Sequence, residues 1–244
     1  IIITGAGIPT NMPEFTKDYP DVALVPIVSS ARALKLICKK WQRYNKIPDA
    51  VIVEGPLSGG HQGFKYEDCF KEEFQLENIV PPVIEEAKNW GDIPVIAAGG
   101  IWDKKDIDRF LALGCAGVQM ATRFIGTFEC DADSKFKDVL LNAKKEDIVL
   151  MGSPVGLPAR GVKTNLQFAI ENKTAPKVQC ISNCVAPCHR GHEAKIVGYC
   201  IADRLGAAYK GDVETGLFFS GSNGYRIDKI ISVKELMEKL TKGE

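Results

Sequence analysis

The feature that most constrains the fold is a short unit that recurs along the chain. It consists of a β-branched apolar run, a glycine or small polar residue, and an amphipathic stretch. The runs are, in chain order, Ile1–Thr4, Ala23–Ser29, Ala50–Glu54, Pro94–Ala98 and Gly117–Thr122. The stretch at residues 31–44 has helical periodicity, and one of its faces carries Ala33, Leu34, Ile37 and Trp41. This succession predicts βα units around a parallel sheet, and the apolar runs are typical of a sheet buried on both faces.

Two architectures have this order of elements, an open doubly wound sheet and a closed (β/α)8 barrel. A dinucleotide-binding Rossmann fold requires a G-x-G-x-x-G loop after its first strand. The loop at Gly5 reads GAGIPT and lacks the third glycine. In a barrel, the small residues after the later runs meet at the rim where active sites lie. We therefore favour an α/β, (β/α)8 TIM barrel whose last five βα units occupy residues 1–130, and we expect three further units before Ile1.

The last part of the chain lacks the repeating unit. Residues 134–147 have the pattern of a helix, and residues 153–161 that of a loop rich in proline and glycine. A further helix is predicted near residues 198–210, and a terminal helix follows Ser232, a preferred N-cap residue. We expect residues 131–244 to form an extension of helices and loops that packs on the barrel.

The charge balance excludes some classes of partner. The chain has 31 Lys and Arg residues and 31 Asp and Glu residues, so its formal net charge is zero. This balance gives no electrostatic footprint for nucleic acid or an anionic membrane. No apolar run approaches the length that spans a bilayer, and the first residues lack the charged region of a signal peptide. We expect a cytoplasmic protein with neither nucleic acid nor membrane as a partner.

Two loops are candidates for an anion site. The first contains Gly99 and Gly100, and the second contains Gln119, Met120, Ala121 and Thr122. Small residues between a strand and a helix expose backbone N–H groups at the helix N-terminus, and the last two loops of a barrel often hold a phosphate. For either loop alone, close packing of helix on strand explains the glycines equally well. As a pair, the loops favour a phosphate site.

His61 is the candidate catalytic residue. It stands behind Gly59 and Gly60, after the run that ends at Glu54. A histidine of the core has apolar neighbours, whereas two glycines leave room for a ligand. The position after a strand, and the near-neutral pKa of imidazole, favour a catalytic role over a structural one.

Several motifs resemble those of one enzyme family. EGPLSGGHQGF, IPVIAAGGIWD and GVQMATRF are similar to hallmark motifs of the nitronate monooxygenases, formerly called 2-nitropropane dioxygenases, and GAGIPTNMPEF, PIVSS and SPVGLPARG also match. The resemblance implies an FMN-dependent barrel, related to the flavin-type enoyl-acyl-carrier-protein reductases, with His61 acting on the substrate. It also implies a set of residues that bind or line the cofactor: Glu54, Gly59, Gly60, Gly99, Gly100, Gln119, Met120, Ala121 and Thr122.

The implied reaction is the oxidation of nitroalkanes or alkyl nitronates by O2. His61 would remove a proton from the carbon next to nitrogen, or orient the anion, while the redox chemistry belongs to the flavin. One alternative is an NAD(P)H-dependent reductase of enoyl thioesters, and another is a truncated remnant that binds no flavin. For Glu54, contact with the flavin ring and an ion pair with a neighbouring loop are equally good explanations.

A cysteine cluster lies in the last part of the chain. It comprises Cys180, Cys184, Cys188 and Cys200, with His189 and His192 nearby. Thiolates gathered in this way suit zinc or an iron–sulfur cluster. The spacing resembles, with one extra residue in the first gap, the cluster motif of the dienoyl-CoA reductases. Reduced cysteines that pack two helices together are the alternative.

Overall fold

The computed structural model describes residues 1–5, 7–175, 177–178, 180, 184, 188 and 194–243. The chain divides into two compact units. The first contains Ile1–Leu57, Glu67–Met120 and Leu240–Glu244, and the second contains Ser58–Tyr66 and Ala121–Lys239. None of the helices in the described ranges combines the length and the apolar character needed to cross a membrane.

The elements of both units are numbered along the chain. The strands are β1 (Ile2–Thr4), β2 (Leu24–Val28), β3 (Val51–Glu54), β4 (Gly60–His61), β5 (Val95–Ala98), β6 (Gly117–Gln119), β7 (Ile148–Met151) and β8 (Ala159–Val162). The α-helices are α1 (Met12–Phe15), α2 (Ala31–Trp41), α3 (Leu76–Lys88), α4 (Lys104–Ala112), α5 (Thr122–Ile125), α6 (Ser134–Asn142), α7 (Asn165–Glu171), α8 (Ala194–Val197), α9 (Ile201–Tyr209) and α10 (Val233–Lys242). Short 3-10 helices span Gln42–Tyr44, Glu67–Phe70, Glu72–Phe74, Lys145–Asp147 and Gly224–Arg226.

The first unit is built on a parallel sheet. Its strands lie in the order β1, β2, β3, β5 and β6, and each pairs in parallel with the next. The prediction that the five apolar runs form a parallel sheet is therefore confirmed, and the unit is an α/β structure. Closure of this sheet into a complete barrel stays a prediction.

Helix α2 of this unit has an N-terminal cap and a buried face, and the sequence predicts that face. The Ser30 hydroxyl accepts a hydrogen bond from the Ala33 N–H at 3.2 Å, which caps α2. On the predicted face of α2, the side chains of Leu34 and Ile37 are buried, as is Trp41. Burying a side chain of this size contributes about 1.5–3 kcal/mol, so packing of this face holds α2 against the strands and α3.

The faces of the sheet explain where one acidic residue lies. Val51, Ile52 and Val53 are all buried, as expected for a strand covered on both sides. Ile52 belongs to an apolar cluster with Val25 and Ala98. Because side chains alternate along a strand, Glu54 points from the same face as Ile52. The register also sets Glu54 beside Ala98, so a carboxyl stands at the carboxyl end of an apolar face.

The second unit contains an antiparallel sheet in the order β4, β8, β7. The loop predicted for residues 153–161 is therefore wrong in its last part, where β8 begins. Pairing with strands on both sides stabilises β8 in spite of its local glycine and proline content. Gly161 is required for close packing, because a Cβ there would lie 2.5 Å from the Phe218 carbonyl oxygen. The helix predicted for residues 134–147 is shorter than expected because a 3-10 turn leads into β7. The Ser232 cap of α10 is confirmed: the Ser232 hydroxyl accepts from the Glu235 N–H at 3.0 Å.

Candidate active site

In the first unit, the carboxyl end of the parallel sheet carries Glu54, the last residue of β3. Burial raises the pKa of its carboxyl to about 7, and burial is the only cause of the shift. Within the described residues, this carboxyl has no hydrogen bond or ion pair. Because its pKa lies near neutrality, the group is present in both forms there, and it can donate or accept a hydrogen bond.

The next strand, β5, ends in the two glycines of the first predicted anion loop. Gly99 and Gly100 have φ angles of +95° and +81°, which favour glycine. A Cβ at Gly100 would also lie 2.9 Å from the Cβ of Leu57. Packing within the chain, one of the two explanations drawn from the sequence, therefore accounts for Gly100. A role of both glycines in phosphate binding stays a prediction.

The helix that follows this loop has its own carboxylates at its N-terminus. The Asp103 side chain caps α4 by accepting from the Asp106 N–H at 3.1 Å. The Asp106 carboxylate in turn accepts from the Trp102 N–H at 2.8 Å. Two negative charges oppose an anion at this N-terminus. A phosphate near β5 would therefore depend on the loop backbone and not on α4.

The second predicted anion loop follows β6. Gln119 of β6 pairs with Ala98 of β5. The residues that come next, Met120 and Gly99, therefore lie at the ends of two neighbouring strands in the first unit. Ala121 and Thr122 begin the next segment of the second unit, where α5 is a single turn. The Thr122 hydroxyl accepts from the Gly221 N–H at 2.9 Å. No group among the described residues accepts its own proton, which can therefore be donated to a ligand, since a hydroxyl donates one bond and accepts two.

In the second unit, Gly59 and Gly60 face the segment Phe219–Gly221. A Cβ at Gly59 would lie 2.7 Å from the backbone nitrogen of Gly221, and a Cβ at Gly60 would lie 3.3 Å from the Phe219 ring. The space that the two glycines leave is filled by this segment of the protein. Packing against this segment therefore explains the two glycines, and their predicted role in leaving room for a flavin or a substrate stays a prediction. The buried Gln62 fixes the loop, because its amide donates to the carbonyls of Ser58 and Gly60 at 3.0 Å each.

His61 lies on β4, opposite Ala159 of β8. Its Nε2 is 2.7 Å from the Oγ of Ser153, a side chain that is only 1% exposed. The ring also meets the Phe219 ring edge to face, with centroids 5.4 Å apart at 82°. Burial lowers the pKa of His61, so its imidazole is mainly neutral at pH 7. Within the described residues, Nδ1 has no hydrogen-bond partner, which leaves the ring able to take up a proton.

Two residues, Ser153 beside His61 and Tyr199 beside Gly152, were not predicted from the sequence. Ser153 opens the SPVGLPARG motif, which is predicted as a loop and carries part of the family resemblance, without a predicted role for Ser153. Tyr199 is buried, and its hydroxyl donates to the Gly152 carbonyl at 2.7 Å. Burial raises the pKa of Tyr199 to about 12, and the nearby Ser153 side chain acts on this pKa in the opposite direction. No sequence pattern links Tyr199 to His61, because it lies in the segment of the cysteines.

The predicted metal site has no support in the part of the chain that the structure describes. Cys180, Cys184 and Cys188 are exposed, whereas Cys200 is buried. Within the described ranges, no three His, Cys, Asp or Glu side chains are placed to hold a metal ion. His189 and His192 lie outside the described residues. The predicted iron–sulfur cluster or zinc thus stays a prediction from spacing alone.

Comparison with known proteins decides the family. The nitronate monooxygenase family model matches residues 1–243. The chain belongs to the nitronate monooxygenase family. A probable nitronate monooxygenase of Staphylococcus aureus strain Newman is 34% identical over 119 residues, which is 47% of this chain and 31% of that protein. The chain thus spans about a third of the length of the curated relatives it matches. The resemblance drawn from the motifs is confirmed.

Two solved structures are similar to this chain over most of its length. FabK from Thermotoga maritima has a TM-score of 0.73 and 29% identity, covering 99% of this chain and 66% of that one. Nitroalkane oxidase from Streptomyces ansochromogenes has a TM-score of 0.63 and 25% identity, covering 91% of this chain and 57% of that one. Both likenesses agree with the α/β structure and its parallel sheet.

Proposed function

We propose that this chain serves the FMN-dependent oxidation of alkyl nitronates and nitroalkanes by O2, the reaction of a nitronate monooxygenase. The observation that carries the proposal is the state of His61. His61 lies within the family motif EGPLSGGHQGF, and its imidazole is mainly neutral at pH 7. Its Nε2 is hydrogen bonded to Ser153, and its Nδ1 has no hydrogen-bond partner among the described residues. The membership of the family supports the same reaction.

The chemistry of the substrate calls for such a group. A nitroalkane carries an acidic proton on the carbon next to nitrogen, and removal of that proton leaves a delocalised nitronate anion. His61 takes the proton as a neutral base, so the C–H electron pair remains on the nitronate while the imidazole becomes imidazolium. Because burial disfavours the charged ring, the half-buried imidazolium readily releases its proton to water. A preformed nitronate needs no such step.

The residues of the first unit fit a flavin by their chemistry. The carboxyl of Glu54 is half-buried, has no partner within the described residues and has a pKa of about 7. In its protonated form it could donate a hydrogen bond to an acceptor of a flavin ring. When bound, FMN supplies the two-electron redox chemistry and the reaction with O2. Gly99, Gly100, Gln119 and Met120 remain the proposed neighbours of the cofactor.

Four further residues predicted as cofactor neighbours belong to the second unit. Ala121 and Thr122 are the proposed phosphate neighbours, and Thr122 keeps one hydroxyl proton for an acceptor. Gly59 and Gly60 hold the His61 loop against Phe219–Gly221 and so position the imidazole. We therefore assign these two glycines to the geometry of the loop, with direct cofactor contact through their backbone still a proposal.

The test uses purified protein supplied with FMN. Flavin binding is followed by the visible spectrum, and oxidation of propionate 3-nitronate and nitroethane by O2 consumption. The proposal expects bound FMN and oxidation of the nitronate. NADH-dependent reduction of crotonyl thioester without nitronate oxidation would identify an enoyl reductase instead. A spectrum without flavin bands after FMN addition would favour a protein that does not use flavin.

A further inference from the structure

Two adjoining cavities lie in the second unit, lined by residues from segments 166–178 and 195–204. The larger has a volume of about 580 Å³ and the smaller one of about 180 Å³. Lys177, Val178 and Gly198 line both, so the two cavities form one continuous groove, which we call the α7–α8 groove. Gly198 has a φ angle of +97°, and a Cβ there would lie 3.4 Å from the Ile170 side chain, so this junction favours glycine.

The larger cavity is cationic. Its lining includes Lys173, Lys177 and Lys195 and no acidic side chain. Within the described residues, none of these three ammonium groups has a hydrogen bond or an ion pair. Unpaired charges of one sign in a cleft with low-dielectric walls raise the local potential, so this cavity attracts anions.

Acidic side chains on the neighbouring helices already have partners of their own. Glu171 of α7 accepts a hydrogen bond from the Lys163 ammonium group at 2.9 Å. Asp203 of α9 pairs with the Arg204 guanidinium. Four cationic side chains and one carboxylate therefore line the groove, which gives it a net charge of +3.

The rest of the larger cavity is mainly apolar. Ile170 and Val197 line it and also pack against the buried apolar cluster that contains Tyr199. Ile196 lines the same cavity and is 69% exposed to solvent. A hydrocarbon chain that covers these side chains removes apolar surface from water on both partners, which favours binding.

We propose that the α7–α8 groove binds a single-chain amphiphile with an anionic head group, a phosphate or a carboxylate. The lysines hold the head group, and the chain covers Ile170, Ile196 and Val197. The volume of the groove lies in the range of small-molecule sites, and a cavity takes one chain, whereas a flat bilayer surface needs no cavity. Binding here needs neither flavin nor nitronate, so the inference is independent of the proposed function.

The test measures binding to the FMN-free protein by isothermal titration calorimetry, with every probe below its micelle concentration. Hexyl, octyl and decyl phosphate should bind with a Kd that falls by about fourfold for each added CH2 group. Decanoate should bind more weakly than decyl phosphate, because its head group carries less charge. Decyltrimethylammonium has the same chain with a cationic head group, and it should bind at least about tenfold more weakly than decyl phosphate.

Substitutions of exposed side chains locate the head group. Lys177→Gln and Lys195→Gln should each weaken decyl phosphate by about twofold to fivefold. Lys173→Gly should do the same without loss of stability, because the φ angle of +59° at this position favours glycine. The matched control is Lys210→Gln, at an exposed lysine that lines neither cavity, and it should leave the Kd unchanged.

A second pair of variants locates the chain. Ile196→Ser should weaken decyl phosphate by about fourfold to fifteenfold, the loss of contact with one or two CH2 groups. Phe128→Ser is the control, because Phe128 is also 69% exposed and lines neither cavity. This control should leave the Kd unchanged.

Several results would overturn the inference. One is an equal affinity for decyl phosphate and decyltrimethylammonium, and another is an affinity that does not change with chain length. Binding that survives unchanged in the lysine variants and in Ile196→Ser would place the ligand elsewhere. Binding to phosphatidylglycerol vesicles without binding of decyl phosphate or decanoate would assign the lysines to a lipid surface instead.

Discussion

Replacing Glu54 by glutamine should make the protein more stable at alkaline pH and leave its stability at acid pH unchanged. Burial raises the pKa of Glu54 from 4.5 to about 7. Below pH 4.5 the carboxyl is protonated in both the folded and the unfolded chain, so it adds no pH dependence there. Between that pH and about 7, unfolding releases a proton, and the free energy of unfolding falls as the pH rises. Above pH 7 the loss is complete, and it amounts to about 3 kcal/mol.

Urea denaturation of the FMN-free protein and of Glu54→Gln, from pH 4.5 to 8.5, measures this directly. Glutamine has nearly the shape of the protonated acid, and other titrating groups cancel in the difference between the two proteins. The difference should be close to zero at pH 4.5 and reach about 3 kcal/mol in favour of the variant at pH 8.5. Glu85→Gln, at a side chain that is 70% exposed, is the control and should give a flat difference below about 0.5 kcal/mol. A flat difference for Glu54→Gln would refute the argument that burial alone sets its pKa.

Further predictions concern backbone and caps. Gly59→Ala should lower the free energy of unfolding by about 1–3 kcal/mol, because its Cβ would meet the backbone of Ser220 and Gly221, which cannot give way as a side chain can. Gly206→Ala, in α9 with open space around it, should instead raise it by about 0.5–1 kcal/mol, and equal effects of the two changes in urea denaturation would contradict this contrast. Asp103→Ala removes the α4 cap and should cost about 0.5–2 kcal/mol in the same assay, whereas no loss would mean that another group caps the helix.

The sequence predicts the parallel sheet because its information is local. Each strand is an apolar run of β-branched residues that ends at a small residue, and such runs alternate with helical periodicity. The Ser232 cap can be predicted from the sequence for the same reason, since a capping side chain and its N–H partner lie within three residues. The position of His61 after a strand and two glycines is also local.

The surroundings of His61 are not local, and the sequence did not predict them. Ser153 lies 92 residues from His61 along the chain, and β8 forms only because strands on both sides pair with it. Position 59 favours glycine because a Cβ there would meet the backbone of Ser220 and Gly221, which lie far along the chain. The pKa of Glu54 likewise depends on burial, which follows from the packed sheet and not from neighbouring residues in the sequence.

The most direct test of the central claim compares two substrates on one variant. In His61→Asn, asparagine keeps a polar side chain of similar reach, so FMN binding should survive, but it cannot accept a proton near neutral pH. Turnover of neutral nitroethane should fall by roughly two to four orders of magnitude. Oxidation of the preformed ethyl nitronate, which needs no proton removed, should fall far less. Equal losses on both substrates, or no loss on either, would contradict the account of His61 as the base.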